Sequence, residues 1–135
     1  VGSYANGGRN YVYVGDVANA AVNALEKGQI GECYIAGNAN LNYKEFFTLV
    51  GESANVKTPK TKLPYPILIA AASAAELLSK FTKKAPLVSI PMIRIANEEQ
   101  FYDASKAIKE LNMPQTPIEI AVERSVKWFR ENGYA

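Results

Sequence analysis

The chain contains no histidine, so any proton transfer or nucleophilic attack within it falls to tyrosine, lysine, arginine, serine or a carboxylate. Imidazole bases, Ser-His and Cys-His pairs and the usual zinc sites are excluded with it. The single cysteine, Cys33, cannot form an internal disulfide. It sits between Glu32 and Tyr34 in a strand-like run, the setting of a buried structural thiol rather than a nucleophile. Several of the remaining reactive types cluster in Tyr102-Asp103-Ala104-Ser105-Lys106. There Asp103 or Ser105 is placed to cap a short helix over about 105–111, which leaves Lys106 on an exposed helical face. Asp16 is likewise placed as an N-cap carboxylate, a structural role.

The elements that must position these groups follow from periodicity and punctuation. Gly2, Asn6, Gly7, Gly8 and Asn10 mark residues 1–10 as a loop. Tyr11-Val12-Tyr13-Val14 predicts a strand, followed by a helix over about 17–27 with Val17, Ala18, Ala21, Val22 and Leu25 inward and Gly28 as its stop. Residues 32–37, apolar at their centre, predict a second strand buried on both faces. Asn42 caps a predicted helix at about 43–54 that turns Phe46, Phe47, Leu49 and Val50 to the core. Lysines and Pro59 blunt a short edge strand within 57–63. Pro64 and Pro66 open an apolar helix of about 66–80, and a short helix runs from Ser89 to Asn97. Thr116-Pro117-Ile118-Glu119 has the form of a capping box with proline at the first helical position. Ile118, Ala121, Val122, Ser125, Val126 and Phe129 then recur at helical spacing up to a stop at Gly133.

A length of 135 residues, 48% of them hydrophobic, suits one domain or a domain-sized piece. The 15 Lys+Arg and 13 Asp+Glu leave a net charge of +2, with no basic run beyond Lys83-Lys84, which argues against a nucleic-acid partner. The most apolar stretch, 67–78, includes Ser73 and Glu76 and is shorter than the roughly 20 residues of a bilayer span. It is expected to be a packed helix, the alternative being a hydrophobic lid or a shallow membrane contact. No charged-then-apolar leader is visible, Val1 has the look of a cut end, and the expected compartment is the cytoplasm.

Two blocks resemble the extended short-chain dehydrogenases/reductases, the family of NAD(P)-dependent epimerases, dehydratases and dihydroflavonol-reductase-like enzymes. Residues 9–46, RNYVYVGDVANAAVNALEKGQIGECYIAGNANLNYKEF, are similar to its aromatic-Val-aromatic-Val-x-Asp-Val-Ala strand and helix followed by Gly-Glu-x-Tyr. Residues 101–134, FYDASKAIKELNMPQTPIEIAVERSVKWFRENGY, are similar to its Asp-x-Ser-Lys-Ala block, proline and closing Trp-Phe helix. The resemblance implies an α/β fold, namely the carboxyl-terminal part of such an enzyme: late Rossmann strands plus the small, mostly helical substrate-binding lobe. Residues 1–135 would be the substrate-binding region, with the cofactor-binding half missing. The family's Gly-x-x-Gly-x-x-Gly loop is absent, since NGGRN at 6–10 has the wrong spacing and precedes a strand. NAD or NADP would therefore be bound mainly by the missing half, and no cofactor-binding or metal-binding residue is assigned here.

Tyr102 and Lys106 match the spacing of the family's catalytic dyad, in which tyrosine moves a proton and lysine lowers its pKa and holds the nicotinamide ribose. Ser89 stands 13 residues upstream of Tyr102. That dyad belongs on a long helix behind a central strand, whereas Tyr102 ends an extended stretch, so no catalytic residue is assigned. For substrate binding the resemblance singles out Arg9, where related sugar-nucleotide epimerases carry an arginine for the substrate phosphates. Bidentate geometry suits a guanidinium to that task. The competing reading of Arg9 is a solvated loop arginine. Arg94 is a second candidate, its competing role an ion pair with Glu98. Tyr4, Asn6, Tyr13 and Tyr65 are pocket-lining candidates with packing as the alternative, and Tyr13 stands where several relatives have histidine.

The expectation is the substrate-binding portion of an NAD(P)-dependent oxidoreductase, a reductase or epimerase/dehydratase acting on a carbonyl or alcohol carbon. The parent would take a small-molecule substrate and form a homo-oligomer, and the chain alone would be inactive. The rival is a non-catalytic α/β interaction module using the 66–80 helix and exposed sheet edges.

Overall fold

A computed structural model describes residues 3–86 and 88–134. Its centre is strand β2 (Gly8–Tyr11), which follows the two-residue β1 (Ser3–Tyr4). It pairs antiparallel with β3 (Ala39–Asn42), matching Tyr11 to Ala39, and parallel with β5 (Glu99–Gln100), matching Arg9 to Gln100. A separate parallel pair joins β1 to β4 (Thr61–Lys62), the edge strand expected within 57–63. Helices α1 (Val14–Lys27), α2 (Tyr43–Ala54), α3 (Tyr65–Thr82), α4 (Ile90–Ala96), α5 (Ser105–Leu111) and α6 (Ile118–Glu131) complete the described α/β fold.

Where local chemistry is strong, expectation and structure agree. The Asn42 side chain accepts from Glu45 N while the Glu45 carboxylate accepts from Asn42 N, closing both ends of a capping box on α2. Ser89 accepts from Met92 N at the start of α4, and Pro66 lies in the first turn of α3. Phe46, Leu49 and Val50 of α2 pack on Ile118, Ala121 and Val122 of α6.

Six expectations are corrected. The strand lies at Gly8–Tyr11, within the stretch expected as loop, and the 11–14 run shares only Tyr11 with it. Backbone pairing to two neighbours outweighs the β-propensity of the later residues, and the Tyr13 carbonyl already accepts from Asp16 N and Val17 N, so the helix has begun by Val14.

Asp16 is consequently inside α1 rather than at its cap. It is 3% exposed and its two carboxylate oxygens accept from Thr116 N at 2.7 Å and from the Thr116 hydroxyl at 2.8 Å. That engagement removes Thr116 from the expected capping box: α6 starts behind Pro117 with no side-chain cap.

The inward stripe of α1 is rotated. Ala20 is buried with Ala107, Leu111 and Met113, joined by Val17 and Ala24, whereas Ala18, Ala21, Val22 and Leu25 face outward. α1 is apolar on two sides, and periodicity alone does not say which side meets a neighbour. Residues 32–37 form no strand, because no strand of the described residues pairs with them, and Cys33 is exposed rather than buried. No described helix is long and apolar enough to cross a membrane.

Candidate functional site

β2, α4 and β5 meet at a close-packed corner made possible by Gly7. A Cβ there would lie 2.4 Å from the Ala96 carbonyl oxygen and 2.5 Å from that of Glu98. From the next turn of chain, Arg9 donates through Nη1 to Gly8 O (3.0 Å) and Glu98 O (3.3 Å) and through Nη2 to Ile95 O (3.0 Å). A guanidinium adds charged donors to the Ile95 and Glu98 carbonyls, which also accept backbone N–H groups, and complements the negative end of the α4 dipole. Its carbon lies 5.6 Å from the centre of the Tyr43 ring. Three carbonyl bonds leave Arg9 two of its five N–H donors. At the same helix end, the Asn97 side-chain oxygen is buried without a partner among the described residues.

A groove of about 230 Å³ opens beside this corner, lined by Tyr4, Asn6, Gly7, Asn42, Tyr43, Lys44, Lys62 and Glu99. The β1–β4 register sets Lys62 opposite Tyr4, and Lys44 lies in the first turn of α2. Two ammonium groups, one carboxylate and a helix N-terminus give the groove a net positive character. Sequence reasoning passed over Tyr43, Lys44 and Lys62, because the pairing of β1 with β4 brings Lys62 to Tyr4, and the pairing of β2 with β3, with Tyr43 N donating to Gly7 O, brings the start of α2 beside it. Nearby, the Tyr11 phenol is pushed up, chiefly by burial and then by Tyr43, against a smaller lowering by Arg9.

The other candidates are dispersed. Arg94 is exposed on α4 and forms no ion pair with Glu98; the ion pairs among the described residues are Lys106–Glu32 and Lys127–Glu131. Tyr65 is the first residue of α3, which packs on α4. Tyr13 precedes α1 with the Arg124 guanidinium 5.1 Å above its ring. It lines a separate, apolar cavity of about 490 Å³ with Tyr11, Phe46, Val122, Val126 and Phe129.

Tyr102 and Lys106 are engaged with different partners. The Tyr102 backbone is held by Asn40, whose side chain accepts from Tyr102 N and donates to Tyr102 O. Lys106 pairs with Glu32 at 2.5 Å, donates to Cys33 O and lies 4.7 Å from the Tyr34 ring centre. Asp103 accepts from the Ser105 amide and hydroxyl, and those bonds hold its carboxyl below the ordinary value.

Lys106 lowers the Glu32 carboxyl, by hydrogen bond first and charge second, and the same hydrogen bond raises Lys106. A depressed carboxyl contributes above its ordinary pKa and loses that contribution as pH falls through the depressed value. A raised ammonium contributes below its ordinary pKa and loses it as pH rises through the raised one. Lys106→Met is therefore expected to bring the Glu32 carboxyl back up toward its ordinary pKa, followed by the Glu32 side-chain carbon shift against pH, and an unchanged Glu32 titration would refute the tether.

The described residues form a mixed α/β fold around the β2–α4–β5 corner. No family model matches the chain. The chain is 29% identical over 136 residues to a protein of Synechocystis named as a dihydroflavonol 4-reductase, covering 98% of this chain and 40% of that protein. Among solved structures, that of gox2253 superposes with a TM-score of 0.78 at 34% identity, over 99% of this chain and 41% of that one. A nucleoside-diphosphate-sugar epimerase from Pseudomonas aeruginosa gives 0.71 at 26% identity, over 98% and 39%. The chain thus spans about two-fifths of the length of the curated relatives it matches. It is similar to the carboxyl-terminal portion of reductase- and epimerase-type short-chain dehydrogenases.

The glycines of the 6–10 segment do not form a dinucleotide phosphate loop: Gly7 precedes β2 and Gly8 opens it, and both are filled by close backbone and Phe101 contacts rather than opening a helix N-terminus to a phosphate. No group of three or more metal-ligating side chains comes together among the described residues.

Proposed function

We propose that this chain forms the substrate-binding portion of an NAD(P)-dependent oxidoreductase, a reductase or epimerase/dehydratase acting on a carbonyl or alcohol carbon of a small molecule. NAD or NADP is held mainly by residues beyond this chain, in a cytoplasmic homo-oligomer. The observation that carries this reading is the groove lined by Lys44 and Lys62, with Arg9 beside its Tyr43 wall, in a chain similar along nearly its whole length to reductase- and epimerase-named proteins. The two lysines line the groove, so an anionic or strongly polar end of a substrate meets charge-assisted hydrogen bonds there, and Arg9, beside the Tyr43 ring of the groove wall, keeps two donors after anchoring α4.

In the longer protein, Arg9→Lys keeps the charge but loses the fork of donors. It is expected to raise KM at least tenfold while kcat stays within a few-fold, and a change in kcat alone would contradict a substrate-binding role. Tyr102→Phe is expected to leave turnover within a few-fold, whereas a loss of two or more orders of magnitude, the scale of a deleted proton-transfer group, would make Tyr102 catalytic. The 135-residue chain titrated against NADPH fluorescence is expected to show no saturable binding. Micromolar binding would overturn the assignment of the cofactor site to the rest of the protein.

A further inference from the structure

We propose that the outer face of α3 lies flat on a membrane surface rich in anionic lipid, its apolar stripe at the acyl boundary and the lysines at its two ends among the headgroups. The inference stands apart from the reading of the substrate groove.

α3 is apolar on two sides and uses one of them inside the fold. Ala72, fully buried, and Glu76, whose carboxylate accepts from Ile90 N at 2.8 Å, mark the side turned inward. Ile67, Ala70, Ala71, Ala74, Leu78 and Phe81 recur at helical spacing on the opposite side, and all are exposed. Ile67, Leu78 and Phe81 are 56%, 62% and 79% exposed. From Ile67 to Phe81 the stripe is about 21 Å long. A contiguous apolar strip of that length marks a surface built for contact.

Charge decides what the contact is with. Residues 57–84 hold Lys57, Lys60, Lys62, Lys80, Lys83 and Lys84 against a single carboxylate, that of Glu76, which is already engaged on the inward side. The rest of the chain carries nine basic and twelve acidic residues, so the net charge of +2 comes from this segment. All six lysines are exposed, and none is in an ion pair among the described residues. Lys62 lines the groove described above; the other five take no part in it. Lysines bracketing an apolar helix face complement an anionic leaflet, because their aliphatic stems follow the apolar boundary while the ammonium groups stay with the headgroups. At 18 residues, with one side packed on the fold, α3 lies on such a surface rather than crossing it. A second copy suits the stripe poorly. Both ends of the stripe carry positive charge, so two copies would set lysines against lysines whichever way their helices ran.

The test is co-sedimentation of the longer protein with vesicles, the thermal midpoint serving as the check on folding. Binding to phosphatidylcholine vesicles containing phosphatidylserine is expected to exceed binding to phosphatidylcholine alone by about tenfold or more at low salt, and to fall as salt is raised. Lys80→Glu with Lys84→Glu is expected to abolish the preference for phosphatidylserine. Leu78→Ser with Phe81→Ser is expected to lower binding to the phosphatidylserine vesicles by about tenfold. Both pairs are exposed, so the midpoint should not move; if the serine pair does not accumulate, the glutamate pair decides. Equal binding to the two kinds of vesicle overturns the proposal, as does binding to neither or an anionic preference that survives the glutamate pair. Binding by the 135-residue chain but not by the longer protein also overturns it, since the rest of the protein then covers the stripe. Self-association without vesicles that the serine pair abolishes overturns it in favour of a second copy. Vesicle binding by a longer protein that binds no NADPH refutes the proposed function alone, and NADPH binding without vesicle binding refutes the membrane contact alone.

Discussion

Gly7→Ala is expected to destabilise the protein by about 3 kcal/mol, the upper end of the range for overpacking a filled site. The reason is what the new methyl meets: the backbone carbonyl oxygens of Ala96 and Glu98, at 2.4 and 2.5 Å. A side chain can rotate aside, but these oxygens end α4 and lead into β5. The Glu98 oxygen also accepts from Gly8 N at 3.2 Å and from Arg9. Relief of the clash would draw β2 from β5 and pull Arg9 off the carboxyl end of α4. The substitution should therefore lower the urea midpoint and, in the longer protein, raise KM together with the stability loss. Gly31→Ala is the control: its φ of +85° costs conformational strain, yet nothing lies within 4 Å of the added carbon. It should cost only about 1–2 kcal/mol and leave KM unchanged. A Gly7→Ala protein as stable as the unsubstituted one would mean that the corner is not tightly packed.

Asp16→Ala is expected to cost about 3 kcal/mol, measured by denaturant unfolding. The carboxylate accepts both the amide and the hydroxyl of Thr116, so its removal strands two half-buried donors. Each hydrogen bond to a charged group contributes about 1.5–3 kcal/mol, and shared geometry keeps the two from adding fully. Thr116→Val removes only the hydroxyl and should cost about half as much. A double-mutant cycle should give a coupling energy of at least about 1 kcal/mol. The effect reaches further than one contact, because Thr116 sets where α6 begins and Asn38 donates to the Thr116 carbonyl at 2.7 Å. Loosening it should expose Ile118 and Val122. Asp16→Ala within about 0.5 kcal/mol of the unsubstituted protein would show that α6 is held by its apolar face alone.

Much of the fold was legible because its signals close within one turn of chain. The Asn42–Glu45 box and the Ser89 cap satisfy backbone groups three residues away, and the prolines opening α3 fix φ where an N–H would have no partner, so residue type and spacing suffice. The Thr116 box failed by the same logic: its hydroxyl had a competing acceptor 100 residues away, the Asp16 carboxylate, which no local pattern records. The candidate site was legible residue by residue but not as an arrangement. Tyr4 was singled out, yet Lys62 joins it only through the pairing of β1 with β4, and Lys44 only through the pairing of β2 with β3 that sets the start of α2.

By itself the sequence determined the helices with strong end signals, the lack of imidazole chemistry, and the two blocks shared with reductase- and epimerase-type enzymes. Tertiary structure decided which face of α1 is covered, that Cys33 is exposed, and that Arg9 reaches across 86 residues to cap α4. The physical reason is range. Helix caps and apolar periodicity are satisfied by neighbours a few positions along the chain, whereas a strand, a buried carboxylate or an apolar face is completed by whatever element folding brings beside it.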